Sequence, residues 1–137
     1  MVRIDLRVEA VVPNIDVPLS SRASEDTLSR LKPIQKAAIF NTSISANTNI
    51  FSSDLTPTNT PCIFRIYAVF DTGGILTVKR TFGATTVSEN LYSGNPLVAN
   101  SAYIFDIAVR SGDSINLQYS VAATAILLMV MEIATGG

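Results

Sequence analysis

Apolar and polar residues alternate along most of this chain, in short segments separated by turn-forming sequences. Alternation with a period of two places successive side chains on opposite faces of a β-strand, so each segment predicts a strand with one buried face. After the first 33 residues the predicted strands cover residues 34–44, 62–70, 75–82, 85–92, 103–110, 115–121 and 126–133, with a possible short strand near 49–51. The pattern therefore predicts seven or eight core strands.

The residue types within these segments also predict where some of the strands lie in a sheet and which side chains are buried. Residues 126–133 are apolar on both faces until Glu132, which predicts a central strand covered on both sides. In the first strand, Ala38 and Phe40 are expected to point inward, with Ile34 as a further candidate. The sequence Asp71-Thr72-Gly73-Gly74 predicts a tight hairpin between the second and third strands.

The order of elements predicts the fold class. The chain has no internal repeat and no alternation of strands with helices, which excludes a parallel sheet with crossover helices. An all-β, antiparallel two-sheet sandwich is expected. Jelly-roll topology is favoured, and an immunoglobulin-like Greek key is the alternative.

The first 36 residues form a different region, because they hold 11 of the 21 charged residues. We predict an extended N-terminal arm at 1–36, with a strand at 3–12 and a short helix at 25–32, followed by a sandwich domain at 37–137. The arm either contacts neighbouring subunits or closes an edge of its own sandwich. Intersubunit contact is favoured because Pro13 and Pro18 keep the connector extended. The predicted interaction residues are the apolar residues of the two arm elements: Ile4, Leu6, Val8, Ala10, Leu28 and Leu31.

Composition and charge limit the partners. Hydrophobic residues make up 47% of the chain and charged residues 15%, below the roughly 25% that is usual. This low charge suggests burial against other subunits. The net charge of −1 gives no basic field for nucleic acid or an anionic membrane.

The sequence predicts neither a signal peptide nor a membrane helix. Residues 1–5 do not begin an apolar leader, and the longest apolar run is far below the ~20 residues of a membrane helix. A soluble protein without a signal peptide is therefore expected.

The residue types also argue against an enzyme. Histidine is absent and Cys62 is the single cysteine, which excludes a Ser-His-Asp triad, a Cys-His pair and a zinc site built from cysteines and histidines. Asp71 and Asp113 lie in predicted turns, where capping the backbone is their expected role. Asp106 and Glu132 are expected outside the core face, solvated or paired with arginine. No catalytic residue, cofactor or metal site is predicted; an acid-dependent hydrolase and a calcium site are the alternatives.

Residues 62–133 carry a family resemblance. The residues that carry it are Tyr67, Gly73-Gly74-Ile75-Leu76-Thr77-Val78-Lys79-Arg80-Thr81, Leu97, Ala99-Asn100, Tyr103, Phe105-Asp106-Ile107, Val109, Gly112-Asp113-Ser114-Ile115-Asn116 and Met131-Glu132-Ile133. This stretch resembles small jelly-roll structural proteins of tailed bacteriophages and related viruses, of the capsid decoration or cement type. Residues 1–36 lie outside the resemblance.

The resemblance implies a function and a location. It implies a virion protein, made in the host cytoplasm, that binds the capsid surface as a homotrimer, with the major capsid protein and copies of itself as partners. A tail or fibre module that recognises a receptor or glycan is the alternative. Neither reading assigns an enzymatic activity to the chain.

Overall fold

The structure, a computed structural model, describes residues 32–135, which contain seven strands and a short 3-10 turn at Tyr92–Gly94. The strands are β1 (Ile34–Ile44), β2 (Cys62–Phe70), β3 (Leu76–Phe82), β4 (Thr85–Asn90), β5 (Tyr103–Val109), β6 (Ser114–Tyr119) and β7 (Ala123–Ala134). Each predicted long strand is therefore present, and the all-β prediction is confirmed.

The strands form two antiparallel sheets that pack as a sandwich. One sheet, sheet A, has the order β1-β7-β2-β5, and the other, sheet B, has the order β4-β3-β6. The irregular segment 45–61 lies along the open edge of β6, where the amide of Ile50 donates to the carbonyl of Leu117 at 2.8 Å. Between β1 and β7 the chain crosses from one sheet to the other four times, and these two strands are neighbours in sheet A. This arrangement is compatible with a jelly roll.

The core lies between the two sheets and follows from the alternation. Every second residue of β2 is buried, from Cys62 to Phe70, and the residues between them are only partly buried. Across the core the rings of Phe70 and Tyr119 stack with centroids 3.9 Å apart and planes at 12°. β7 has the central position that its sequence predicts, because it pairs with β1 on one side and β2 on the other. The predicted cover on both faces is not present within the described residues, because the outward side chains of β7 are only partly buried.

The predicted hairpin at residues 71–74 is wrong, because β2 and β3 belong to different sheets. The turn is a crossing between sheets: a carboxylate oxygen of Asp71 accepts from the amide of Thr124 at 2.8 Å, which fixes the start of the crossing to β7. Gly74 is needed there for close packing, since a Cβ at this position would lie 3.0 Å from the ring of Tyr119. The true hairpin joins β3 and β4, where Phe82 is opposite Thr85.

The inward orientation predicted for Ala38 and Phe40 is also wrong. Ala38 lies opposite Met129 on the outer side of sheet A, and Phe40 is 61% exposed. Phe40 lies opposite Leu127, on the outer side of β7, whereas Ile39 lies opposite the buried Leu128. A bulge between Gln35 and Ala37 breaks the alternation of β1. Sequence alternation across a bulge cannot assign the inner face, because the extra residue reverses it.

The predicted arm lies almost entirely outside the described residues. This applies to the strand at 3–12, to residues 25–31 of the predicted helix, and to the predicted interaction residues Ile4, Leu6, Val8, Ala10, Leu28 and Leu31. The predicted boundary after residue 36 falls within β1, which begins at Ile34.

Candidate functional site

The carboxylates of the described region do not form a metal centre. Within residues 32–135, no group of three or more His, Cys, Asp or Glu side chains is arranged to hold a metal ion. Three buried polar side chains are found instead, Asp113, Asn116 and Glu132, and each of them joins separate parts of the sandwich.

Asp113 caps the turn between β5 and β6, as its sequence position predicts. Its carboxylate accepts from the backbone amide of Arg110 at 3.0 Å and from the guanidinium of Arg80 at 2.9 Å. Arg80 also donates to the carbonyl of Ala108 and to Glu89, so it links β3, β4 and the end of β5. Burial favours the neutral acid, but the bonds from Arg110 and Arg80 outweigh it and hold the pKa of Asp113 below its usual value.

Asn116 is 2% exposed, although the alternation of β6 predicts an outward side chain. The side chain does leave the sheet on its outer face, but the segment 51–54 covers it. Its amide oxygen accepts from the backbone amide of Phe51 at 3.1 Å, and its amide nitrogen donates to the carbonyl of Phe51 and the carboxylate of Asp54. Asn116 therefore holds the segment against β6.

Glu132 is 1% exposed, which corrects the prediction that it is solvated or paired with arginine. Its two carboxylate oxygens accept from the backbone amides of Thr58 at 2.6 Å and Asn59 at 2.8 Å, and Lys36 lies 3.2 Å away. The carboxylate is buried because the segment before β2 supplies two backbone donors, which the sequence pattern does not indicate. Nearby Cys62 is also buried. Burial, together with the charge of Glu132, raises the pKa of its thiol.

Asp106 is paired with Arg65, in agreement with the prediction. The two residues are opposite each other on β5 and β2, and the guanidinium donates to both carboxylate oxygens at 2.8 and 2.9 Å. These bonds lower the pKa of Asp106. The pair is partly exposed on the outer side of sheet A, and it neutralises the charge there.

Apart from that pair, the outer side of sheet A, called face A here, is mainly apolar. Its central rows run across all four strands, and one of them contains Ala38, Met129, Tyr67 and Ile104. Face A comprises Gln35, Ala38, Phe40, Ile63, Arg65, Tyr67, Val69, Ile104, Asp106, Ala108, Leu127, Met129, Met131 and Ile133. Ile104 and Phe40, on the two edge strands, are each 61% exposed. Among the described residues, face A is a broad surface with one neutral ion pair.

The outer side of sheet B, called face B, is polar. Side chains of neighbouring strands bond across it, as between Thr77 and Asn90 at 3.0 Å and between Lys79 and Ser88 at 2.7 Å. The hydroxyls of Thr81 and Thr86 lie 2.9 Å apart in the same ladder. The two outer sides of one sandwich therefore differ sharply in chemistry. The apolar residues on both sides of 126–133 are the sequence signal that indicates face A.

A second surface feature borders β1. A groove of about 430 Å³ lies between β1 and the segment 50–55. The side chains of Ile39, Ile50, Phe51 and Leu55 make its lining mainly apolar, and Lys36 and two serines are at its margin. Face A and this groove are the candidate functional surfaces.

Known proteins show at most a weak structural similarity to this chain. No protein-family profile matches the chain, and no curated protein matches it. Two solved structures show weak similarity, each described as a pentameric capsid protein isolated from metagenomic phage sequences. One has 18% identity and a TM-score of 0.36, over 74% of this chain and 60% of that chain. The other has 16% identity and a TM-score of 0.39, over 96% of this chain and 91% of that chain.

This chain thus spans only 60% of the length of the first of these capsid proteins. Identity and TM-score this low define no family for the chain. In the part of the chain that the structure describes, no helix has the length and hydrophobicity to cross a membrane.

Proposed function

We propose that this chain is a non-enzymatic structural protein of a virion, which binds the capsid surface as a decoration (cement) protein. The observation that carries the proposal is the contrast between face A and face B. Large contiguous apolar surfaces on soluble proteins mark sites of contact with other proteins. Tyrosine and methionine, which face A carries as Tyr67, Met129 and Met131, are enriched in such contacts.

Face A is large enough for this role. Four strands spaced about 4.8 Å apart and about eight residues long make a surface on the order of 500 Å². Contact with an equal area of shell protein would bury about 1,000 Å², near the lower limit for a specific interface. Repetition of the contact over a lattice of identical sites adds avidity to each weak contact. Face A would lie against the shell, and face B would remain in solvent.

The oligomer and the arm belong to the same proposal. The resemblance implies a homotrimer, with the arm residues Ile4, Leu6, Val8, Ala10, Leu28 and Leu31 contacting neighbouring subunits. The partners are then the major capsid protein and other copies of this chain. The pentameric state stated for the two weakly similar capsid proteins is a property of those proteins.

Copy number and position in the virion test the function. A decoration protein is expected in many copies over the shell of purified particles, seen as density in a reconstruction and as a strong band on a gel. Capsids that lack it should release their contents at a lower temperature than complete capsids. A few copies restricted to the tail would indicate the receptor-binding module instead, and absence from particles would refute a virion role.

A further inference from the structure

Among the described strands, β1 lies at the edge of sheet A. Within residues 32–135, β7 is the one strand that pairs with β1, from Ile34 opposite Glu132 to Ile44 opposite Ala123. In an antiparallel pair the backbone groups of alternate residues point away from the partner strand. The outer edge of β1 therefore presents a row of amides and carbonyls to which another extended segment can bond.

The groove lies directly beside this edge. Ala37 and Ile39 of β1 line one side, and Ile50, Phe51 and Leu55 line the other. The second side is firmly held, because Asn116 fixes Phe51 and the backbone of Leu55 exchanges two bonds with Ile115, each 2.8 Å long. A free strand edge next to an apolar groove is the arrangement that binds an extended peptide by strand addition, with alternate side chains inserted in the groove.

We propose that this edge and groove receive residues 3–12 of a second copy of the chain. This inference rests on the proposed arm exchange and names the site that accepts the arm. The arm segment has the required pattern, since Ile4, Leu6, Val8 and Ala10 share one face and charged residues occupy the other. The apolar face would enter the groove, and the charged face would stay in solvent.

The length of the connector fits a second copy. Residues 13–33 separate the segment from β1, and 21 residues reach at most ~70 Å when extended. A domain of this size is roughly 35 Å across, so the segment can reach the groove of a neighbour. Pro33 directly precedes β1 and biases Lys32 toward an extended conformation. Pro13 and Pro18 have the same effect further back, which favours a chain that leads away from its own sandwich.

Disulfide trapping tests the inference. In a Cys62→Ala background, one variant carries Leu6→Cys and a second carries Ile50→Cys, which lies in the groove. When the two are mixed and oxidised, we expect a disulfide-linked dimer to form several-fold faster than in a matched mixture of Leu6→Cys with Thr81→Cys on face B. Equal rates for the groove and face B would overturn the proposed site.

A single chain that carries both Leu6→Cys and Ile50→Cys decides which copy supplies the segment. Linked oligomers on a non-reducing gel are expected, whereas an internally linked monomer of altered mobility would show that the segment binds its own groove and would overturn the proposal. Hydrogen exchange gives a second measurement that needs no cysteine. Removal of residues 1–20 should increase the exchange of amides on the outer edge of β1, and unchanged exchange would contradict the proposal.

The outcomes separate this inference from the proposed function. If trapping fails but particles carry the protein in many copies, the decoration role stands and the acceptor site is wrong. If trapping succeeds but the protein is absent from capsids, arm exchange stands and the decoration role is wrong.

Discussion

The ammonium group of Lys36 on β1 lies 3.2 Å from the carboxylate of Glu132 on β7, and the Glu132 side chain is 1% exposed. Lys36 also donates to the hydroxyl of Thr58 at 2.6 Å, and the backbone amide of Thr58 donates to Glu132. One buried carboxylate thus connects the first strand, the last strand and the loop before β2. Because Lys36 also borders the groove, this cluster fixes the position of the proposed docking edge.

Replacement of Glu132 should be strongly destabilising. Glu132→Ala removes the carboxylate that accepts from two backbone amides and pairs with Lys36, and removal of one partner of a buried ion pair typically costs about 3–5 kcal/mol. Urea unfolding followed by circular dichroism measures the loss. The control is Glu89→Ala, at a carboxylate that is 37% exposed and paired with Arg80, where we expect about 1 kcal/mol or less. Similar losses for both variants would contradict the anchoring role of Glu132.

Asn116 and Gln118 give a matched pair on the same face of β6. Asn116→Ala removes the bonds that hold Phe51, and an unsatisfied buried backbone group costs about 1–3 kcal/mol. We expect faster hydrogen exchange in residues 51–55 and lower stability in urea. Gln118→Ala removes one exposed bond, to Asn49, and should change stability by about 0.5 kcal/mol or less. Unchanged exchange at Phe51 in Asn116→Ala would show that the segment is held by other contacts.

Stability should fall in acid through Asp113. The bonds from Arg110 and Arg80 place the pKa of the folded state below the value of about 3.9 in the unfolded chain. The unfolded chain therefore binds the proton at a higher pH than the folded protein. The stabilisation is complete above the unfolded pKa and is lost as the pH falls through the folded pKa.

Urea midpoints between pH 7 and pH 2 measure this loss, and Asp113→Asn should flatten the pH dependence. Asp106→Asn is the comparison, because this carboxylate is 43% exposed and its pKa is also lowered. Solvent screens the Asp106 pair, so its replacement should change the slope less. An Asp113→Asn variant with the full acid dependence of the wild type would exclude Asp113 as its source.

Charge on face A should block capsid binding without unfolding the domain. Two separate variants, Tyr67→Glu and Met129→Lys, each place one charge in the central row of the face. Contact with a shell protein would leave that charge buried and unpaired. We expect at least a tenfold loss in sedimentation with empty capsids, with the circular dichroism spectrum unchanged. Thr86→Lys on face B is the control and should bind like the wild type. If only the Thr86→Lys variant loses capsid binding, face B and not face A contacts the shell.

The sequence contains most of the fold because its strands are half buried. Alternation identifies β2, β5 and β6, and the apolar residues on both sides of β7 identify its central position. The same local information misassigns the turn at residues 71–74, because a turn sequence specifies a reversal of the chain and not the sheet to which the next strand adds. It also misassigns Ala38 and Phe40, because a bulge changes the phase of β1 before both residues.

The sequence indicates less about the buried polar residues and the groove. Asp113 and Asp106 could be assigned from a turn and from an alternation pattern, but Asn116 and Glu132 could not. Their donors and acceptors come from residues 51–59, which are more than 50 positions away in the chain. The groove has the same origin, since residues 36–39 and 50–55 are brought together by the path of segment 45–61 along β6.

Taken alone, the sequence determines a charge-poor all-β domain with no histidine and a single cysteine, preceded by a charged segment of alternating pattern. These properties depend on residue type and local period, which a chain carries without folding. Only the tertiary structure decides that Asp113, Asn116 and Glu132 are buried and hydrogen-bonded, and that one outer face is apolar while the other is polar. Those features depend on which strands become neighbours, because a side chain is buried or exposed only in relation to what the rest of the chain places over it.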